Sequence, residues 1–146
     1  MLDKDKVTLS RIPLEAFNEG KVDVIDEVMT PDHIEHVPAP PGSPPGNEGL
    51  KAFIAGLRSA FPDFKYKLVR VVAEGDFIVH HLSAEGTMKG AFAGMPPSGK
   101  HAVWEEIHIT RMSGGKAVEH WAVIDQLGML RQLGFVPDPT TAAAKS

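Results

Sequence analysis

Residues 102–125, AVWEEIHITRMSGGKAVEHWAVID, alternate between two sets of side chains on either side of Ser113-Gly114-Gly115-Lys116, which predicts two long strands joined by a tight turn. A Gly-Gly centre permits the positive φ angles of a two-residue hairpin loop. With Gly114 and Gly115 as that loop, residues whose numbers sum to 229 lie opposite, so His108 faces Trp121, Glu106 faces Val123 and Trp104 faces Asp125. These side chains then share one sheet face. Val103, Ile107, Ile109, Val118, Ala122 and Ile124 make the other, mostly aliphatic face. One extra loop residue would set His108 against His120 instead, because turn length fixes register. The two-residue loop is the preferred reading.

Upstream of the hairpin, the period is also two from Lys65: KYKLVRVVAE and FIVHHLSAEGTM read as meander strands around a Gly75-Asp76 turn. Between them and the hairpin, KGAFAGMPPSGK is a glycine- and proline-rich loop or interrupted edge strand. The helical signals come earlier. Leu50, Phe53, Ile54, Leu57 and Phe61 form a stripe at helical spacing, with Asn47 as a candidate cap and Pro62 as the stop, and that stripe must lie on a sheet. Asp5 to Asn18 also reads as a helix, with Pro13 imposing a kink or a late start. Val22, Ile25 and Met29 mark a second short helix, ended by Thr30-Pro31. Prolines fill five of the eight positions from Pro38 to Pro45, so this piece is a stiff rim loop. After Asp125 a short helix ends at Gly134, and 136–146 is a frayed tail.

Helices first and an antiparallel meander afterwards is the α+β pattern, with helices on one face of a curved sheet. A chain of 146 residues, 42% hydrophobic and 23% charged, fits one domain, 1–146, with an ordered core over about 5–135. The net charge of −4 comes with no basic cluster, which argues against nucleic acid. Cysteine is absent, which removes thiol nucleophiles and thiolate metal sites. The N-terminal stretch is too charged for a signal peptide, and no run approaches the about 18 apolar residues of a membrane span. A soluble cytoplasmic protein is expected.

Three segments carry a family resemblance: GNEGLKAFIAGLRSAFPD, AEGDFIVHHLSAEGTMKGAFAGMPPSGK and GGKAVEHWAVIDQLGMLRQLG. In this order they resemble the SnoaL-like polyketide cyclases, or ester cyclases, of the NTF2-like superfamily, from about Arg11 to Phe135. The resemblance implies an NTF2-like cone with an apolar cavity, and a metal-free intramolecular aldol condensation that closes a ring. Gly86-Thr87-Met88 stands where the family often has Gly-Thr-His, so no histidine acts there.

The resemblance assigns the acid/base role to the aspartate of a Trp-x-x-x-Asp motif, here Trp121 and Asp125. The residues themselves lead to the same aspartate. It ends a strand on the face of Trp121, and burial in an apolar cavity would raise its pKa toward that of a useful base. The alternative is that Asp125 caps the helix that follows. His108, as a neutral N–H donor, would polarise a substrate carbonyl, with Glu106 beside it. Alternatively His108 is structural and Glu106 pairs with a basic residue at the mouth. Trp121, Glu106, Trp104, His36 and His33 are the candidate substrate contacts, and the resemblance places His36 at the cavity mouth.

Seven histidines raise the question of a metal. The adjacent His80 and His81 point to opposite faces of a strand, and His33-x-x-His36 has no carboxylate at a recognised spacing. No metal and no cofactor are expected; a small apolar ligand or substrate is. Three function classes follow: a cofactor-free cyclase or isomerase, a small-ligand-binding module, and an association module pairing as a dimer or tetramer through Val103, Ile107, Ile109 and Ile124.

Overall fold

Gly114 and Gly115 take φ angles of 58° and 79°, and Ser113 pairs with Lys116, so the hairpin loop has the two residues expected. The register does not hold along the strands. Met112 still pairs with Ala117, but Arg111 pairs with Glu119, leaving Val118 as an extra residue. Beyond this bulge the paired numbers sum to 230, and every later side chain of the second strand changes face. His120, Ala122 and Ile124 therefore join Glu106, His108 and Thr110 on the concave face. Trp121 and Val123 lie on the convex face with Ile107 and Ile109.

The computed structural model describes residues 2–137, so the expected tail lies outside the described residues from 138 onward. The elements are α1 (Leu2–Arg11), a π-helical segment (Ile12–Phe17), α2 (Val24–Val28), β1 (Met29–Glu35), α3 (Gly46–Ala60), β2 (Lys65–Glu74), β3 (Phe77–Thr87), β4 (His101–Ser113), β5 (Lys116–Ile124) and α4 (Gln126–Leu133). One sheet runs in the order β1-β5-β4-β3-β2, antiparallel except for the parallel β1-β5 pair. This is the expected α+β cone, with the helices on the concave side.

Three local expectations are corrected. The first helix starts at Leu2, and Pro13, which has no N–H to donate, is absorbed by widening the next turns into a π-helix. α2 stops at Val28, and Met29, expected in that helix, opens β1 with Thr30-Pro31 inside it, an edge strand in which proline is tolerated. Asn47 does not cap α3; Pro45 precedes the helix and the Asn47 amide donates to Asp26 at 3.2 Å.

The α3 stripe packs as its spacing requires, with Ile54, Leu57 and Phe61 buried and Leu50 and Phe53 partly so. Phe61 lies against Gly86, where an added Cβ would come within 3.0 Å of its ring, so the bare backbone admits the aromatic. Phe17, Phe61, Phe64, Tyr66 and Trp104 form a network of ring contacts, 4.9 to 6.3 Å between centroids, at the apolar end of the concave face. No helix among the described residues is long and apolar enough to cross a membrane.

Candidate active site

Alternation along β4 buries Trp104 and Glu106 on the concave face and leaves His108 partly open. Glu106, only 4% exposed, is satisfied by donors: the Tyr66 hydroxyl at 2.7 Å to Oε1 and the Trp104 indole N–H at 2.8 Å to Oε2. His108 Nε2 lies 2.8 Å from the same Oε1, and its Nδ1 lies 2.9 Å from His120 Nε2. His120 Nδ1 in turn lies 2.7 Å from Glu35 Oε2. Five residues from four strands thus form one hydrogen-bonded line, Tyr66-Glu106-His108-His120-Glu35. The side chains of His108 and His120 each keep 18% of their surface in solvent, so the middle of the line is its accessible part.

The ends differ in electrostatics. Burial pushes the Glu35 carboxyl up, but the hydrogen bond from His120 and the nearby His33 outweigh that and hold it at about 2. His33, with its side chain 2% exposed, has Nε2 3.6 Å from Glu35 and is raised by that carboxylate. Burial, then the Glu106 charge, lift Tyr66 well above its ordinary range, so it remains a donor. His80 pairs directly with His108 across β3 and β4 and shares a 3.0 Å hydrogen bond with Ser10 of α1. Burial and the nearby His108 and His120 lower it to about 4, so it is neutral near pH 7.

The expected site residues divide. Glu106, His108 and Trp104 meet on the concave face, and His33 joins them through Glu35. Trp121 does not: the bulge at Val118 turns it to the convex face, where it stacks on His36 at 4.8 Å. His36 is also outside, 2.7 Å from Glu119, because alternation in β1 sends it opposite to His33 and Glu35. Asp125 is exposed and accepts a hydrogen bond from the Gly128 N–H at 2.9 Å, which makes it the N-cap of α4. The apolar enclosure expected around it is not found there. Ile124, expected outside, faces in. A groove of about 420 Å³ between α1, the π-helical segment and β2 is lined by Lys6, Val7, Ser10, Leu14 and Val71, and does not reach Asp125.

A model of the SnoaL-like polyketide cyclases matches residues 8–133. The chain belongs to the SnoaL-like polyketide cyclase family. It is 30% identical over 122 residues to the nogalonic acid methyl ester cyclase of Streptomyces nogalater, covering 83% of this chain and 91% of that one. An aklanonic acid methyl ester cyclase from Streptomyces sp. (strain C5) is 31% identical over 141 residues, 92% of this chain and 84% of that one. Among solved structures, TsrD from Streptomyces laurentii superposes with a TM-score of 0.83 at 28% identity, covering 92% of this chain and 97% of that one.

For this SnoaL-like cyclase the sequence reading missed three of the five residues of the polar line, Tyr66, His120 and Glu35. His120 was within reach, since the alternative pairing put it beside His108; the bulge achieves that proximity by another route. Glu35 was hidden because β1 was not recognised as a strand. Tyr66 and His80 carry no signal beyond their place in alternating strands. Among the described residues no group of three or more His, Cys, Asp or Glu is set to hold a metal ion.

Proposed function

We propose that this chain closes a ring in an aromatic polyketide methyl ester by intramolecular aldol condensation, with His108 at the reacting atoms. The observation that carries this reading is the line Tyr66-Glu106-His108-His120-Glu35, whose central imidazoles reach solvent on the concave face. The reaction needs a proton acceptor and a proton donor in one place. A base removes the proton from a carbon flanked by carbonyls, the enolate carbon attacks a second carbonyl, and the new alkoxide takes a proton. One C–C bond forms as one C=O π bond breaks, so product and substrate are isomers. With Nε2 held by the Glu106 carboxylate, His108 Nδ1 can leave His120 for the substrate and serve both steps, taking the carbon-bound proton and returning it to the alkoxide.

Ala122, paired with His108 across β4 and β5, presents only a methyl group beside the imidazole, and Ile124 continues the apolar surface for a small carbonyl compound. We further read the protein as a cytoplasmic homo-oligomer joined through its convex sheet face. The test is incubation with nogalonic or aklanonic acid methyl ester, following an isomer of equal mass by chromatography. His108→Ala should lower turnover by about 10²–10⁴ in a folded protein. Unchanged turnover in that variant would remove His108 from the reaction, and no ring closure with either ester would remove the substrate assignment.

A further inference from the structure

The polar line constrains its own protons. Its three contacts, Glu106 to His108, His108 to His120 and His120 to Glu35, measure 2.8, 2.9 and 2.7 Å, and each requires one proton between its atoms. A carboxylate only accepts, so with both glutamates ionised His108 Nε2 and His120 Nδ1 carry hydrogens. The His–His contact needs a third. Two neutral rings hold two hydrogens in all, which would set two lone pairs against each other at 2.9 Å. With both glutamates ionised, three filled contacts correspond to three N–H hydrogens and one positive charge on the pair.

We propose that Glu106-His108-His120-Glu35 is a proton wire with one mobile charge, and that His120 and Glu35 exchange protons between solvent and the reacting group His108. Moving the proton of any one contact to its other atom shifts the charge along the line without changing the number of protons. The imidazolium can thus sit on His108 or on His120. Both His108 nitrogens are engaged in the line, so the ring gives or takes a proton at the substrate only while Nδ1 is parted from His120; once that contact re-forms, the line is reset from Glu35, which is one-third exposed. This rests on the acid/base reading above and adds to it the route by which the proton returns.

The surroundings fit a single charge on the pair. Facing it are Glu106 and Thr110 on β4, Tyr66 on β2, His80 on β3, and Glu35 and His33 on β1. From α1, Ser10 binds His80. The acids of α2 are engaged elsewhere, Asp26 with Lys51 and Glu27 with Arg11. His33 Nδ1 must donate to the Thr30 carbonyl at 3.3 Å, and its Nε2 stands 3.6 Å from Glu35, beyond hydrogen-bond distance, so it is not part of the line. Two carboxylates then flank the charge of the pair, and His80 stays neutral beside it.

The test is a pH titration of the histidine ring nitrogens by NMR on the resting, ¹⁵N-labelled protein, which needs no substrate. At pH 7 the four ring nitrogens of His108 and His120 should show three hydrogens between them, one more than two neutral rings hold. Glu35→Gln keeps the shape but removes the anion, so the pair should hold less of that third hydrogen at the same pH. The same variant should shift the acid limb of the turnover profile, which a purely structural glutamate would not do. Two neutral rings in the wild type at pH 7 would overturn the wire. Because the wild-type spectrum alone decides this, a variant that misfolds leaves the result intact. A charged pair in a protein that cyclises neither ester would keep the wire and remove the substrate assignment instead.

Discussion

His36 and Trp121 stack on the convex face with ring centroids 4.8 Å apart and planes 4° from parallel, a contact that follows from the single extra residue at Val118. Without the bulge, Trp121 would point into the cone and face His108. The two arrangements predict different energetic couplings. A double-mutant cycle on His36→Ala and Trp121→Ala, read by urea unfolding, should give a coupling of about 0.5–1.5 kcal/mol, as for other stacked ring pairs. A cycle on His108→Ala and Trp121→Ala should give none. The reverse result would place Trp121 in the concave site.

The same bulge shows where the sequence could and could not be read. The α3 stripe was legible because five apolar residues at helical spacing have one way to be buried, and Gly114-Gly115 was legible because few residue pairs tolerate two positive φ angles. The register beyond the loop was not. In KAVEHWAVI both faces of β5 carry apolar and polar residues, so sliding by one position costs little in pattern and leaves no trace. The structure puts His120 inside and Trp121 outside, against simple hydrophobic sorting, because His120 gains two polar partners there. β1 was illegible for another reason: TPDHIE is short, contains proline and pairs along one edge only. Glu35 and the role of His33 went unseen with it.

The convex face carries Val103, Ile107, Ile109 and Val123, all exposed, the last 75% so. An apolar set of this kind on neighbouring strands is a surface for self-association. Light scattering at micromolar concentration should give a mass at least twice 15.8 kDa. Val123→Lys or Ile107→Lys, each placing a charge on that surface, should shift the protein toward the monomer with its circular dichroism unchanged. A wild-type monomer would end the association reading.

His80 makes stability depend on pH. Its folded pKa of about 4 lies below the ordinary 6.5, so the unfolded chain binds the proton more readily. The contribution is therefore present above pH 6.5 and lost as pH falls toward 4, with no further loss below. A shift of this size corresponds to about 3 kcal/mol. His33 works in the opposite sense, since its raised pKa favours the folded state until pH rises through it. Urea unfolding between pH 7 and 4 should show falling stability, and His80→Gln should flatten that fall. A slope unchanged by the substitution would assign the pH dependence to other groups.

Asp125 offers the sharpest separation of capping from catalysis. Its carboxylate accepts the Gly128 N–H at 2.9 Å, and Gly128 packs so closely that an added Cβ would come within 3.0 Å of both carboxylate oxygens. Both features belong to a helix cap held against the first turn of α4. Asparagine caps about as well as aspartate, so Asp125→Asn should leave stability nearly unchanged, whereas Asp125→Ala should lose about 1 kcal/mol. An acid/base role would reverse the emphasis. Asn preserves the shape but cannot accept the proton, so turnover would fall by about 10²–10⁴ while the ester still bound. The exposed position favours the first pattern: stability that distinguishes Ala from Asn, and cyclisation that does not. A large loss of turnover in Asp125→Asn, with unfolding unchanged, would instead give Asp125 the catalytic role that its Trp-x-x-x-Asp spacing implies.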